Sequence, residues 1–364
     1  MNLKGSPMKK LLTLSLILVL LFTSCAGGKS VMRFGGASIN EGEFTYYLAT
    51  YKARFASTYS DFKDNAAFYS QIIGEKTAGE YLFDEVVHNV SMTLVCDALF
   101  SEYRLSLADS VQREVDEYVA SFLDNYADGN KNVLNQALGV YGVNMKMWKE
   151  ILLRDARASA LFDYLYGSSG TVGVNDDDRA AYLAENYVHV RHIYVNDKYT
   201  YEIDANGDPV YGSDGYQNKV PLSPDALAAK KAVVDAIDES LAEGGDFEEI
   251  YEAFSEDKYY KNGYYITRDM NFVSGIVTSA FDLEIGKWIK LESDVGTHYI
   301  MRLPLGEKPW KDESCADFFD GFDTAVAAEC FTAMIEARLG EIEYDSDLLE
   351  TFSLEDSPMN SRFQ

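Results

Sequence analysis

The 364-residue sequence predicts an α+β protein: a helical N-terminal domain, completed by a C-terminal helix, carries an inserted α+β domain with a small antiparallel sheet flanked by helices. Three observations predict this. Residues 31–186 repeat apolar side chains at helical spacing. Residues 187–304 open and close on β-rich stretches with helical patterns between them. Residues 305–364 hold one strong amphipathic stripe, which cannot bury itself alone and must dock on another part, the N-terminal helices.

Taken in order, Val31 to Ile39 reads as a short strand. Asn40 with Glu43 has the pattern of a capping box, and Phe44, Tyr47, Leu48 and Tyr51 then set out one face of a helix. Leu82, Val86, Val90 and Leu94 mark a second helix, and Val111, Val115, Tyr118, Val119 and Phe122 a third. A fourth runs from Met145 through Trp148 and Leu152 to a stop at Gly167. Asn175, three residues before Asp178, starts a further helix that ends near Asn186.

The stretch from Tyr187 to Val195 is β-rich, and the polar 196–222 segment, with turn signals at 204–208 and 212–215, reads as an inserted hairpin. Ser223 and Pro224 begin a helix whose buried face is Ala229, Val233, Ile237 and Leu241, ended by Gly244 and Gly245. Asp246 opens the next, with Phe247, Ile250, Tyr251 and Phe254 on one face; a loop runs from Ser255 to Gly263. Residues 288–291 and 297–303 read as the last two strands. Cys315, Phe319, Phe322, Val326 and Cys330 fall on one helix over 314–339, and a strand or short helix is expected near 342–354.

Residues 1–24 read as a leader. Lys4, Lys9 and Lys10 precede an apolar run from Leu11 to Phe22, shorter than the ~20 residues a membrane helix needs. Thr23, Ser24 and Cys25, followed by Ala26 and Gly27, resemble a bacterial lipobox. That implies lipid on Cys25 and an extracytoplasmic chain anchored to the bacterial cell membrane; an ordinary secretory signal is the alternative. The domains expected are thus 1–24, 25–186, 187–304 and 305–364. With 32 basic against 59 acidic residues the net charge is −27, which repels phosphate backbones and excludes nucleic acid as a partner. Cys315 and Cys330 would lie ~22 Å apart along their helix, too far for a disulfide, so they and Cys96 read as small buried hydrophobes.

Two metal patterns fail on their own terms. His189 and His192 face opposite sides of a strand. The 204–208 run has Pro209 where a calcium loop needs glycine and Gly215 where it needs glutamate. No metal and no cofactor are expected.

Four stretches, in order, resemble the parvulin-type peptidyl-prolyl isomerases. They are the strand around Arg191, His192 and Ile193; the helix start at Gly245, Asp246 and Phe247; the loop Phe254, Ser255, Glu256 and Asp257; and the closing segment of Ala280, Phe281, Leu283 and Gly286 with Gly296, His298 and Ile300. With the lipobox, the helical N-terminal region and the returning helix, the chain resembles the PrsA/SurA class of extracytoplasmic foldases. The resemblance implies catalysis of cis/trans exchange at X-Pro bonds of unfolded or partly folded exported proteins. The barrier there is roughly 18–20 kcal/mol and no cofactor is needed to lower it. It implies a hydrogen-bonded pair, His192 and His298, on adjacent central strands beneath a proline pocket, Asp257 beside the substrate carbonyl, and Phe272, Ile276 and Phe281 around the proline. Residues 262–266, Ile276 and Val295 depart from the family pattern. A parvulin-like chaperone that only binds unfolded clients therefore stays open beside the enzyme, as does a homodimer.

Overall fold

The computed structural model describes residues 28–273 and 275–363. The leader and Cys25 lie outside the described residues. Within these residues, no helix is long and apolar enough to cross a membrane. The chain forms two compact units: the described residues through Gly173 together with those from Ala328, and Val174–Ala327 between them. The second is wider at both ends than the 187–304 stretch read from the sequence.

The first unit is helical, with a small antiparallel sheet in which Ser30–Phe34 lies between Ala37–Asn40 and Glu343–Tyr344. The stretch expected as one strand is thus a hairpin, turning at Gly35 and Gly36. Its main helices are Glu41–Thr58, Ala78–Glu102, Asp109–Ala127, Lys131–Gly139 and Met145–Tyr166. The expected capping box is formed: Asn40 accepts from the Glu43 N–H and Glu43 from the Asn40 N–H. Phe44, Leu48, Leu94, Leu134 and Trp148 are fully buried in its core.

The same Glu43 belongs to a buried charge network. Arg154 donates to Glu43 (3.2 Å) and to Asp97 (3.0 Å), and Arg157 also reaches Asp97 (2.7 Å). Phe331 from the returning part packs edge-on against Phe162 at 5.4 Å.

The expected single helix over 314–339 is instead a 3-10 stretch, Glu313–Phe318, followed by an α-helix, Phe322–Glu336. Gly321 between them has φ +70, a left-handed conformation open to glycine and costly to other residues.

The second unit holds a four-stranded antiparallel sheet, in the order Tyr264–Thr267, Tyr187–Val195, Thr297–Leu303, Trp288–Glu292. Alternation along the strands sorts its faces. Ile193, Val195 and Tyr299 point to one side, where Val234, Ile237 and Leu241 of the helix Pro224–Ala242 and Phe247, Ile250 and Tyr251 of the helix Phe247–Phe254 cover them. Val188, Val190, Ile266 and Ile300 point to the other, over Ile276 and Ala280 of the short helix Ile276–Asp282. The 309–323 segment closes one edge: Phe319 lies 5.1 Å from Tyr265 and Phe318 4.5 Å from Tyr260. Those aromatic contacts are why this unit extends beyond residue 304.

Residues 196–222 form the expected hairpin, with a stem of Tyr199–Tyr201 against Lys219–Pro221. It branches beyond the stem. Bridges between Ile203 and Pro209 and between Tyr211 and Gln217 close two separate tips. At the first tip, Asp204 accepts from the N–H groups of Asn206 and Asp208, a local turn.

Candidate active site

The site grows from the second face of that sheet. His298 stands opposite Tyr194, and His192 opposite Ile300, across the central strand pair. All four side chains share one face, so the two histidines are diagonal neighbours on adjacent strands. They meet: His192 Nε2 lies 3.0 Å from His298 Nδ1. Both are nearly fully buried, at 5% and 1% exposure.

Asp257 reaches the same point from the loop after the Phe247–Phe254 helix. The Glu256 N–H donates to the Tyr194 carbonyl at 2.8 Å, and Ser255 Oγ accepts from the N–H groups of Tyr194 (3.1 Å) and Asp257 (3.2 Å). The loop is thereby tied to the strand, and Asp257 Oδ2 sits 2.7 Å from His192 Nδ1. A carboxylate only accepts, so His192 Nδ1 carries a proton and donates it. Further along, His192 Nε2 and His298 Nδ1 share a hydrogen bond, and Ser293 Oγ lies 2.8 Å from His298 Nε2. Ser293 in turn accepts from the Val295 N–H at 3.1 Å. The contacts form one continuous chain from Ser293 to Asp257.

Burial, reinforced by the neighbouring His192 ring, lowers the His298 pKa to about 4, which keeps that ring neutral at ordinary pH. Burial alone would raise the Asp257 pKa. Hydrogen bonds from His192, from the Tyr264 hydroxyl (2.6 Å) and from the Tyr259 N–H (3.1 Å) outweigh it and hold the carboxyl below its usual range.

Asp257 opens on an exposed hollow of about 680 Å³, lined by Tyr194, Glu256, Asp257, Lys258, Tyr259, Tyr264 and Phe272. Phe272 stands edge-on to His192 (5.9 Å) and to Tyr264 (5.5 Å), so three aromatic walls and the carboxylate converge over the histidine pair. Gly263, at φ +89, lets the strand carrying Tyr264 start against the neighbouring strand: a Cβ there would lie 2.5 Å from the Val190 carbonyl oxygen.

His192, Asp257, His298 and Phe272 are thus brought together. Ile276 and Phe281 are not. Ile276 is fully buried inside the apolar cluster on this same face, and Phe281 packs against that cluster with the Arg268 guanidinium 4.0 Å from its ring centroid; neither lines the hollow. Tyr194, Tyr264 and Ser293 went unassigned in the sequence. Even-numbered alternation from Val188 places Tyr194 on the face of His192, a signal that was available; Ser293 lies in a turn whose geometry no pattern displays. His189 faces the other side, between the carbonyls of Pro304 (2.8 Å) and Asn262 (2.7 Å) and stacked on Tyr265. Among the described residues no group of three His, Cys, Asp or Glu side chains is placed to hold a metal ion.

Compared with solved structures, the chain is similar to PrsA from Bacillus subtilis, at 12% identity over 90% of this chain and 93% of that one, with a TM-score of 0.24. It is similar to the peptidylprolyl isomerase PrsA from Bacillus cereus at 15% identity, over 93% and 95% of the two chains, with a TM-score of 0.24. A structure from Campylobacter jejuni, described with the SurA-like chaperones PEB4 and Cj1289, is similar at 14% identity over 77% and 96%, with a TM-score of 0.18. No protein-family model matches the chain, and no curated protein matches it in sequence.

Proposed function

We propose that the hollow over His192 and Asp257 catalyses cis/trans isomerisation of X-Pro bonds in unfolded polypeptides. The observation that carries this is the convergence of an ionised carboxylate and three aromatic walls in one open hollow, above a buried hydrogen-bond chain. A planar imide is held by resonance that places negative charge on the carbonyl oxygen; twisting returns that density to nitrogen. A fixed carboxylate beside the oxygen disfavours the planar state more than the twisted one, and aromatic walls replace the water that would stabilise the planar carbonyl. Tyr194, Tyr264 and Phe272 grip the proline ring. Asp257 supplies the charge, and His192 with His298 and Ser293 fixes its position. No bond to the enzyme forms, and no cofactor takes part.

The lipobox supports attachment of this activity to the outer face of a bacterial cell membrane through Cys25, with unfolded or partly folded exported proteins as clients. A second reading, binding without turnover, draws on Tyr264, whose hydroxyl shares Asp257 Oδ2 with His192.

The test is exchange spectroscopy on a proline tetrapeptide with the full chain. Exchange should rise above background and return to it in Asp257→Ala and His192→Ala. A wild-type rate equal to background removes the enzyme and leaves the binding reading.

A further inference from the structure

The hairpin over 196–222 plays no part in the chemistry above, yet it concentrates exposed aromatic and apolar surface. Tyr201 is 48% exposed, Ile203 63%, Tyr211 62% and Tyr216 76%, all within one small insertion. Four such side chains on one insertion give it the apolar surface that a contact would use. The charge at its tips has one sign. Asp204, Asp208 and Asp214 are exposed at the two tips, and among the described residues none of them has an ion-pair partner. The segment's two lysines are already engaged: Lys198 lies 3.4 Å from Asp197, and the Lys219 ammonium sits over the Tyr199 ring, 4.2 Å from its centroid. That last contact shows in place how a tyrosine of this hairpin takes a cation on its face.

The hairpin is also continuous with the hollow. It leaves the central strand just past Tyr194, a wall of the hollow, and the Asn196 N–H donates to Glu256, another lining residue, at 3.3 Å. Tyr199 neighbours Tyr194, and the Tyr199 and Tyr201 rings are 5.6 Å apart. A run of tyrosines thus leads from the proline hollow onto the hairpin.

We infer that the two-tipped hairpin is a second contact for the substrate chain, and that it takes a segment of unfolded polypeptide bearing lysine or arginine. This rests on the isomerase reading of the hollow. Tyrosine faces and unpaired carboxylates together recognise an ammonium or guanidinium group, by cation–π attraction and by charge. At about 3.3 Å per extended residue the path from Tyr194 to Tyr201 spans at most roughly 23 Å, so a chain whose proline lies in the hollow reaches the hairpin within roughly five to ten residues.

The experiment compares three probes on the full chain: a proline tetrapeptide, a long proline peptide with arginines five to ten residues from the proline on both sides, and the same peptide with glutamates in their place. Wild type should show a KM about tenfold lower for the arginine peptide than for the glutamate peptide, with similar kcat and a gap that shrinks with added salt. Tyr211→Ser with Tyr216→Ser, or Asp208→Asn with Asp214→Asn, should raise the arginine-peptide KM about tenfold while leaving tetrapeptide exchange within twofold of wild type. Equal KM values for the two long peptides overturn the inference, as does a gap that survives both double variants. If wild type fails even on the tetrapeptide, the isomerase reading fails. Peptide binding by fluorescence anisotropy then tests the hairpin by the same arginine-over-glutamate comparison.

Discussion

His298 gives the site a measurable acid response. The ring is 1% exposed, and burial together with its His192 neighbour lowers its pKa to about 4, against 6.5 for a free imidazole. Between those two values the unfolded chain binds a proton that the folded chain refuses. The folded state's contribution is therefore complete above about pH 6.5 and is lost as pH falls toward 4. At about 1.4 kcal/mol per unit, and allowing for relaxation of the buried ring, the loss is about 2–3 kcal/mol. Asp257, held below its ordinary value, acts with the same sign further into acid, since its stabilisation is lost as the carboxylate protonates. Other carboxylates titrate over this range as well, so the informative quantity is a difference. The His298→Asn variant should lose about 2–3 kcal/mol less than wild type between pH 7 and pH 4.5 in urea unfolding. The His298 ring signal of the wild type should stay unshifted by NMR down to about pH 5. A His298 ring titrating near 6.5, or equal pH slopes for the two proteins, refutes the buried, neutral His298 ring.

Two further outcomes are expected. Tyr264→Phe removes one donor from Asp257, so the acid limb of the exchange rate should move to higher pH while the rate at pH 7.5 stays within about threefold, a difference of under ~1 kcal/mol; a rate tenfold above wild type would instead mark Tyr264 as an obstruction. Arg154→Ala in the helical unit should cost about 3 kcal/mol by chemical denaturation. That is the low end for breaking a buried pair, because Asp97 keeps Arg157 and Glu43 keeps the Asn40 N–H; a loss under 1 kcal/mol contradicts that role.

Much of the frame was legible because caps and alternation act locally. The strand Tyr187–Val195 coincides with its β-rich run, and the Asn40, Asn175 and Ser223 caps each start the helix they announce. What escaped was non-local or short. The strand Tyr264–Thr267 has four residues, too few for a period, and exists because Val188 and Val190 offer it an edge. The helical spacing from Cys315 to Cys330 runs straight through Gly321, since a stripe continues in register across a break that only the backbone reveals. Within the site, His192, His298 and Asp257 were legible from their motifs. Ile276 does not line the hollow because it is fully buried inside the cluster on that face, while Phe272 and Tyr264, packed on the same cluster, reach the open side.

The most direct test of the hollow is to locate a bound proline. With the full chain and a proline peptide labelled in the ring, intermolecular NOEs should connect the ring protons to Phe272, Tyr264 and Tyr194, and the Asp257 carboxyl signal should shift on binding. Contacts confined to the helical unit, with Phe272 and Asp257 unmoved, would contradict the account.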